Sequence, residues 1–344
     1  MEVSIIVLLF LLGIFFIVKG GDWFVDAASW IAEISGIPKL IVGATIVSLA
    51  TTLPEMLVSV IAAVNGKVDM AIGNAVGSVT ANIGLIMAIG IFFMPAVIKR
   101  KEYLLKSILM IAAAAILYIF GKDGQVEFSS SIILLVIFIV AMIDNVKYAI
   151  DNVKEKHEHD LEEEKEDKKL LNKFKVKIGL KAERKSEEVK KYEIRDNIIK
   201  FIAGALGIVL GADLLTTNGS ELARIIGISE RIIGVTVIAI GTSLPELVTT
   251  ITAIVKKESA LSVGNIIGAN IIDLTLILPL CALITGGSLP VSTQVATIDM
   301  PACLLVATIA MIPALVNKKF SRWQSIFLIT AYITYMVITT SAVV

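Results

Sequence analysis

The chain has little of what metal sites and catalytic centres are usually built from. It holds two cysteines and two histidines in 344 residues. Cys281 and Cys303 both lie inside long apolar runs, so they are expected as buried free thiols and not as a disulfide. His157 and His159 both fall in a densely charged stretch, where H157-E-H-D160 reads as solvated chain and not as a metal site. The apolar body is therefore left without the ligands that zinc or copper prefer. The formal net charge of zero says nothing about partners, because the charges are unevenly placed; no nucleic-acid partner is expected. The N-terminus carries Glu2 and no basic stretch ahead of its first apolar run, so no cleaved signal peptide is expected. No pair of aspartates in a G-x-G-D context appears, which disfavours an intramembrane aspartyl protease, and neither enzymatic activity nor a cofactor is expected.

What the chain does have is apolar length. Hydrophobic residues make up 56% of it, far above a soluble globular average. Runs such as residues 3–17, 104–120 and 129–143 are close to the length that a bilayer-spanning helix needs. Ten spans are predicted, at roughly 3–26, 39–64, 69–96, 103–120, 128–149, 197–219, 231–255, 260–283, 294–315 and 322–342. Residues 151–196 hold 28 of the 62 charged side chains, 14 acidic and 14 basic. Such a stretch stays in water as a loop or helical linker. The expected organisation is thus a first membrane unit (1–150), a charged cytoplasmic loop (151–196) and a second membrane unit (197–344).

Five spans precede that loop and five follow it, so a repeated unit would enter the membrane upside down the second time. The fold class expected is an all-α polytopic membrane protein of ten transmembrane helices, arranged as two inverted five-helix repeats. If the loop is cytoplasmic, ten short-loop Lys and Arg residues lie inside and only Lys67, Lys122, Arg224 and Arg231 outside. The bias places both termini outside. The expected location is the cell membrane, with the lipid bilayer as a partner, and the sequence names no protein partner.

The repeat is visible in the letters. T51-T-L-P-E55 returns as T242-S-L-P-E246, and G73-N-A-V-G77 returns as G264-N-I-I-G268, both at an offset of 191 residues. Gly20, Asp22, Ser29 and Gly43 likewise meet Gly211, Asp213, Ser220 and Gly234, and residues 20–90 give 21 identities in 71 aligned pairs. Each half places a proline mid-span directly before a glutamate. Proline lacks an N–H and crowds the carbonyl four residues back, so the helix should break there and free the carbonyls of Ala50 and Gly241. Broken backbone in hydrocarbon persists only where protein, water or ions satisfy it. Around the break Ser48, Thr51, Thr52 and Glu55 share a face, as do Ala239, Thr242, Ser243 and Glu246.

The following span adds Asn74, Ser78 and Asn82 in the first half, and Asn265, Ala269 and Asp273 in the second. Together these are oxygen donors that suit hard cations such as Ca²⁺ or Na⁺. A bare carboxylate at the bilayer centre costs at least ~2.5 kcal/mol, so cations or protons must accompany Glu55, Glu246 and Asp273 through any cycle. One Ca²⁺ nearly balances two glutamates, and so do two or three Na⁺. Exchange of Ca²⁺ for H⁺ at the same carboxylates is the nearest alternative, and a passive cation channel built on the same shell is a third. Asp22 and Asp213 sit at span ends and are expected to be structural or interfacial. Asp26 and Asp144 have no carboxylate at the matching position and are expected to face water.

At this point the two segments resemble the α-repeats of the cation/Ca²⁺ exchanger superfamily, in its Na⁺/Ca²⁺ exchanger branch. The resemblance covers nearly all the membrane part and rests on the paired [TS]-x-P-E and G-N-x-x-G-x-x-x-x-[ND] motifs. It implies an antiporter exchanging Ca²⁺ for Na⁺ by alternating access, with four central helices around one ion cluster. By that resemblance Glu55 and Glu246 would be the central Ca²⁺ ligands, with oxygens from Thr51 and Thr242. Thr52, Ser243 and Ser78 would complete flanking Na⁺ sites, helped by main-chain oxygens near Ser48 and Ala239. Asn82 and Asp273 would line the middle, and the first and sixth spans would be the moving pair. Two positions depart from the family pattern. Ala269 stands where the branch commonly has serine, and Thr52 replaces a usual serine. Glu246 stands where the K⁺-dependent branch tends to have aspartate, which argues against that branch. The loop of about 46 residues is too short for the large Ca²⁺-sensing domains of animal exchangers.

Overall fold

The computed structural model describes residues 3–174, 185–226, 241 and 243–342, with side chains described over all of these except 155–174, 185–192, 223 and 342. Helix α1 (Val3–Ser35) leads into α2 (Lys39–Thr51) and α3 (Leu53–Val64), which are bent by 46° relative to each other, and then α4 (Val68–Phe93) and α5 (Arg100–Gly121). A short strand, β1 (Gln125–Val126), precedes α6 (Phe128–Phe174). The second half runs through α7 (Lys185–Ile225) and α8 (Leu244–Val255). It continues with α9 (Ser259–Ile284), β2 (Leu289–Pro290), α10 (Val295–Asn317) and α11 (Arg322–Ala342).

Among the described residues eight helices are long and apolar enough to cross a bilayer, and the bent α2–α3 pair makes a ninth. Helix α8 is the 12-residue remainder of the predicted span 231–255, most of whose first half lies outside the described residues. Of the two forms expected for the linker, a loop or a helix, its described part takes the helical one. Helix α6 runs on to Phe174 and α7 starts at Lys185, so the charged stretch is mainly helical backbone. Glu and Lys are strong helix formers, and their mixed charges support each other at i,i+4.

Burial sorts the helices. In the most apolar stretch of each, 83% of the residues of α9 and 67% of those of α4 are buried, against 22% for α1 and for α7. Thus α4 and α9 form the centre, packed through Ile72, Val76, Ile83, Ile267, Ile271 and Leu274. Helices α1 and α7 lie outside it and cross each other backbone to backbone. A Cβ added at Gly20 would sit 2.8 Å from the Gly204 carbonyl oxygen, and one at Gly211 would sit 2.8 Å from that of Gly13. Only glycine permits that approach.

The connections sort into two faces. On one, Lys39 pairs with Glu258 at 2.6 Å, and Lys256 pairs with Asp26 at 2.7 Å and Asp22 at 3.4 Å. The backbones of 96–98 and 318–320 pair beside the starts of α5 and α11. On the other face β1 pairs antiparallel with β2, and Asp69 accepts a hydrogen bond from the Ser292 amide at 3.1 Å. Asp26 is exposed, as expected, and pairs with Lys256 at the surface, whereas the expectation that Asp144 faces water is corrected, since it is partly buried in an ion pair. Lys106 on α5 reaches Asp144 on α6 at 3.0 Å with its own side chain only 2% exposed. A lysine buried in apolar surroundings requires a counter-charge, and Asp144 supplies it. Cys281 and Cys303 are free and buried.

Candidate ion-binding site

The two prolines do what their chemistry requires. Helix α2 ends at Thr51, Thr52 turns out of register (φ −85°, ψ −4°), and Pro54 sits in the first turn of α3. There its missing N–H is no loss. Glu55 follows in the same turn. In the second half Ser243 precedes α8, with Pro245 and Glu246 in its first turn. Element bounds coincide at the 191-residue offset. They are Leu53–Val64 and Leu244–Val255, then Val68–Ala81 and Ser259–Ile272. At the end of the latter pair each central helix passes into a π-helical turn, Asn82–Met87 in α4 and Asp273–Ile277 in α9. Such widened turns are rare and frequently mark functional sites.

Close packing brings the halves together. A Cβ at Gly268 of α9 would stand 2.5 Å from Ser48 Oγ and 2.6 Å from the Ala44 carbonyl oxygen. One at Gly264 would collide with the carbonyl oxygen of Leu40. The second G-N-x-x-G segment therefore lies directly on α2. The residues that would face Gly73 and Gly77 by the same offset, 231–239, lie outside the described residues.

Polar contacts then cross between the halves. Thr52 Oγ1 lies 3.4 Å from Glu246 Oε1, and Thr51 Oγ1 donates to Asn265 Oδ1 at 3.2 Å. Asn82 Nδ2 donates to Asn270 Oδ1 at 3.2 Å. Within each half the motif asparagine steadies the turn that carries the glutamate. Asn74 Nδ2 donates to the Glu55 carbonyl at 3.1 Å and to Ser59 Oγ at 2.9 Å. Asn265 Nδ2 donates to Thr249 Oγ1 at 3.0 Å, and Thr249 reaches back to the carbonyls of Pro245 and Glu246 at 2.9 and 3.0 Å.

Glu55, Glu246 and Asp273 are all buried, at 1%, 0% and 0% exposure. Glu55 is within electrostatic reach of both other carboxylates, and Asp273 of Glu246. Among the described residues both carboxylate oxygens of Glu55 and of Asp273 have no hydrogen-bond partner, nor do Glu246 Oε2, Asn82 Oδ1 and Ser243 Oγ. None of the ion pairs among the described residues involves these groups. Buried like charges without partners are strongly unfavourable, so the place fits cationic cargo. No three His, Cys, Asp or Glu side chains among the described residues converge in metal-ligating geometry. The donors gathered here are carboxylate, hydroxyl and amide oxygens, the hard set that suits Ca²⁺ or Na⁺.

Of the residues singled out in the sequence, Ser48, Thr51, Thr52, Glu55, Ser78, Asn82, Ser243, Glu246 and Asp273 are all buried. Thr242 and Ala239 lie outside the described residues. Ala269 is fully buried and brings no hydroxyl to the position matching Ser78. Sequence reasoning missed Asn270, whose counterpart Val79 is apolar, and it missed Ser59 and Thr249, which orient the glutamate turns. The signal for Asn270 was a lone amide in a continuous apolar run, without the repetition that picked out the others.

A multi-pass helical protein whose buried core gathers facing carboxylates from two matched halves has the build of a membrane cation transporter. The family model of the sodium/calcium exchanger protein matches residues 5–145 and 197–341, and the chain belongs to that family. It is 33% identical over 295 residues to the inner membrane protein YrbG of Escherichia coli (strain K12), covering 82% of this chain and 80% of that protein. To the sodium/calcium exchanger MaX1 of Methanosarcina acetivorans it is 28% identical over 356 residues, covering 96% and 97%. The sodium-calcium exchanger NCX_Mj, in a structure soaked with Na⁺ and Sr²⁺, matches with a TM-score of 0.76 at 26% identity, over 98% of this chain and 99% of that one. The protein is thus a multi-pass membrane protein of the cation/Ca²⁺ exchanger superfamily, as its repeated motifs implied.

Proposed function

We propose that the chain is an antiporter that exchanges Ca²⁺ for Na⁺ by alternating access at the buried carboxylate cluster. The observation that carries this is the pair of glutamates, Glu55 and Glu246, each one residue beyond a helix-breaking proline at matched positions. Both are buried, carry unpartnered carboxylate oxygens and face each other electrostatically. In this reading Glu55 and Glu246 hold Ca²⁺ with oxygens of Thr51 and Thr242. Thr52, Ser243 and Ser78, with main-chain oxygens near Ser48 and Ala239, hold Na⁺, and Asn82 and Asp273 line the middle. Charge sets the exchange. Two glutamates neutralise one Ca²⁺ or a small number of Na⁺, and a site filled by one cargo has no neutralising capacity left for the other. No cofactor takes part beyond the transported ions.

The architecture proposed with it has ten membrane crossings as two inverted repeats, residues 1–150 and 197–344, joined by the cytoplasmic segment 151–196. The two sets of paired connections support this, since each set joins loops that alternate crossings bring to one face. The Lys and Arg bias favours termini outside and the cell membrane as the location. A second reading, Ca²⁺/H⁺ exchange, is favoured by Asp273. Its buried, unpartnered carboxylate is a third charge that one Ca²⁺ leaves uncompensated.

The deciding experiment is Ca²⁺ uptake into proteoliposomes of the purified protein, loaded with Na⁺ or with choline, with and without a pH gradient. Uptake that requires internal Na⁺ and is lost in Glu55→Gln supports the exchanger. Uptake driven by the pH gradient alone moves the protein to Ca²⁺/H⁺ exchange. Wild-type transport by Glu55→Gln overturns the site.

A further inference from the structure

A fourth buried carboxylate stands apart from the cluster described above. Asp299 ends the π-helical turn Val295–Asp299 at the start of α10. It is 5% exposed, and its Oδ1 is buried with no hydrogen-bond partner among the described residues. The Tyr335 hydroxyl of α11 lies against this carboxylate, with Thr339 one turn further along the same helix beside Tyr335. One turn along α10, Cys303 is within electrostatic reach of both Asp299 and Asp273. No ion pair among the described residues uses Asp299.

Depth places this group on a path. The β1–β2 pairing marks the face where α9 ends and α10 begins. At the helical rise per residue, Asp273 lies roughly 16 Å below the end of α9 and Asp299 roughly 6 Å below the start of α10. Tyr335 lies roughly 10 Å before the end of α11, at a comparable depth. The Asp299 carboxylate with the Tyr335 hydroxyl against it, and the buried Thr339 Oγ1 next to Tyr335, make a hard donor set of charge −1. A monovalent cation would leave this site neutral. A divalent one would leave a net positive charge in apolar surroundings, which is unfavourable.

The geometry points to a second cation site, formed by Asp299, Tyr335 and Thr339, that takes one monovalent alkali cation between the β1–β2 face and Asp273. As a staging point for the monovalent counter-ion it rests on the Na⁺-coupled reading, but as a binding site it does not. The test is ²²Na⁺ binding to the purified full-length protein at saturating Ca²⁺, which fills the central cluster.

The expected result is one Na⁺ still bound per chain, lost in Asp299→Asn and weakened roughly tenfold in Tyr335→Phe, the scale of one lost charge-assisted contact. In proteoliposomes Asp299→Asn should raise the half-saturating Na⁺ concentration by a similar factor, with Ca²⁺/Ca²⁺ self-exchange unchanged. Complete displacement of ²²Na⁺ by Ca²⁺, or wild-type binding by Asp299→Asn, overturns the site. If Asp299→Asn does not fold, Tyr335→Phe with an unchanged elution profile decides in the same way. Ca²⁺ uptake that proves indifferent to Na⁺ removes the Na⁺-coupled reading, whereas the binding count still stands or falls on its own.

Discussion

Gly268 offers a sharp perturbation, because its surroundings set the magnitude. In Gly268→Ala the new methyl would stand 2.6 Å from the Ala44 carbonyl oxygen, 2.7 Å from Ala44 Cα and 2.5 Å from Ser48 Oγ. Ordinary contact begins near 3.4 Å, so α2 and α9 must separate by roughly 0.8 Å. Ser48 can rotate away, but the Ala44 backbone cannot. Overpacking of this kind costs about 1–3 kcal/mol. The displaced helix also carries Thr51, which meets Asn265 across the interface at 3.2 Å. Both a lower melting temperature and weaker Ca²⁺ uptake are therefore expected. Gly90→Ala is the control, since its methyl meets nothing nearer than Thr250 Cγ2 at 3.3 Å. Thermal unfolding of the detergent-purified proteins, followed by tryptophan fluorescence, together with proteoliposome uptake, reads both effects. If Gly268→Ala matches Gly90→Ala in both assays, the backbone contact between α2 and α9 does not have the importance given to it here.

Further outcomes follow from other contacts. Asp144→Asn strands the buried Lys106 charge and should destabilise by about 3 kcal/mol. The Lys106→Met/Asp144→Leu pair should recover most of that, and equal losses in the two variants would refute the ion-pair account. Ala269→Ser restores the hydroxyl that matches Ser78. It should lower the half-saturating Na⁺ concentration by roughly two- to tenfold, and an unchanged Na⁺ curve would show that this position takes no part. Cys281 and Cys303, both buried, should resist a membrane-impermeant maleimide in the folded protein and react on denaturation, as mass spectrometry would report.

Much of the membrane core was legible because the sequence states it twice. The prolines forced a helix break whose place the letters fix, and the repeated glutamates land in the first turn beyond it. Repetition has a blind side, however. Asn270 pairs with Asn82 but has valine at the matching position, and Asp299 lies outside residues 20–90, over which the halves align. Neither could be found by matching. The π-helical turns at Asn82 and Asp273 depend on packing between α4 and α9, which local propensity does not encode. Lys106 and Asp144 are far apart in sequence, so their pairing was invisible until α5 and α6 were docked. The linker was left open between loop and helix because its charge excludes the membrane without choosing between the two. Both ends of it simply extend the spans they leave.

The broken helices have an electrostatic consequence of their own. Helix α3 runs from the break toward the face of Asp69 and Ser292, whereas α8 runs from its break toward the face of Lys39 and Glu258. Their N-termini therefore point at each other across the middle of the molecule. Each contributes the equivalent of about half a positive charge from its unpaired amides. Those two helix ends alone would favour an anion, and the carboxylates of Glu55, Glu246 and Asp273 together reverse that sign. With both glutamates changed to glutamine, Asp273 is the carboxylate of the cluster that remains, against about one positive charge from the two helix ends. The centre should then be close to neutral and lose its hold on Ca²⁺. Cation preference is thus imposed by three side chains on helix ends whose own field runs the other way.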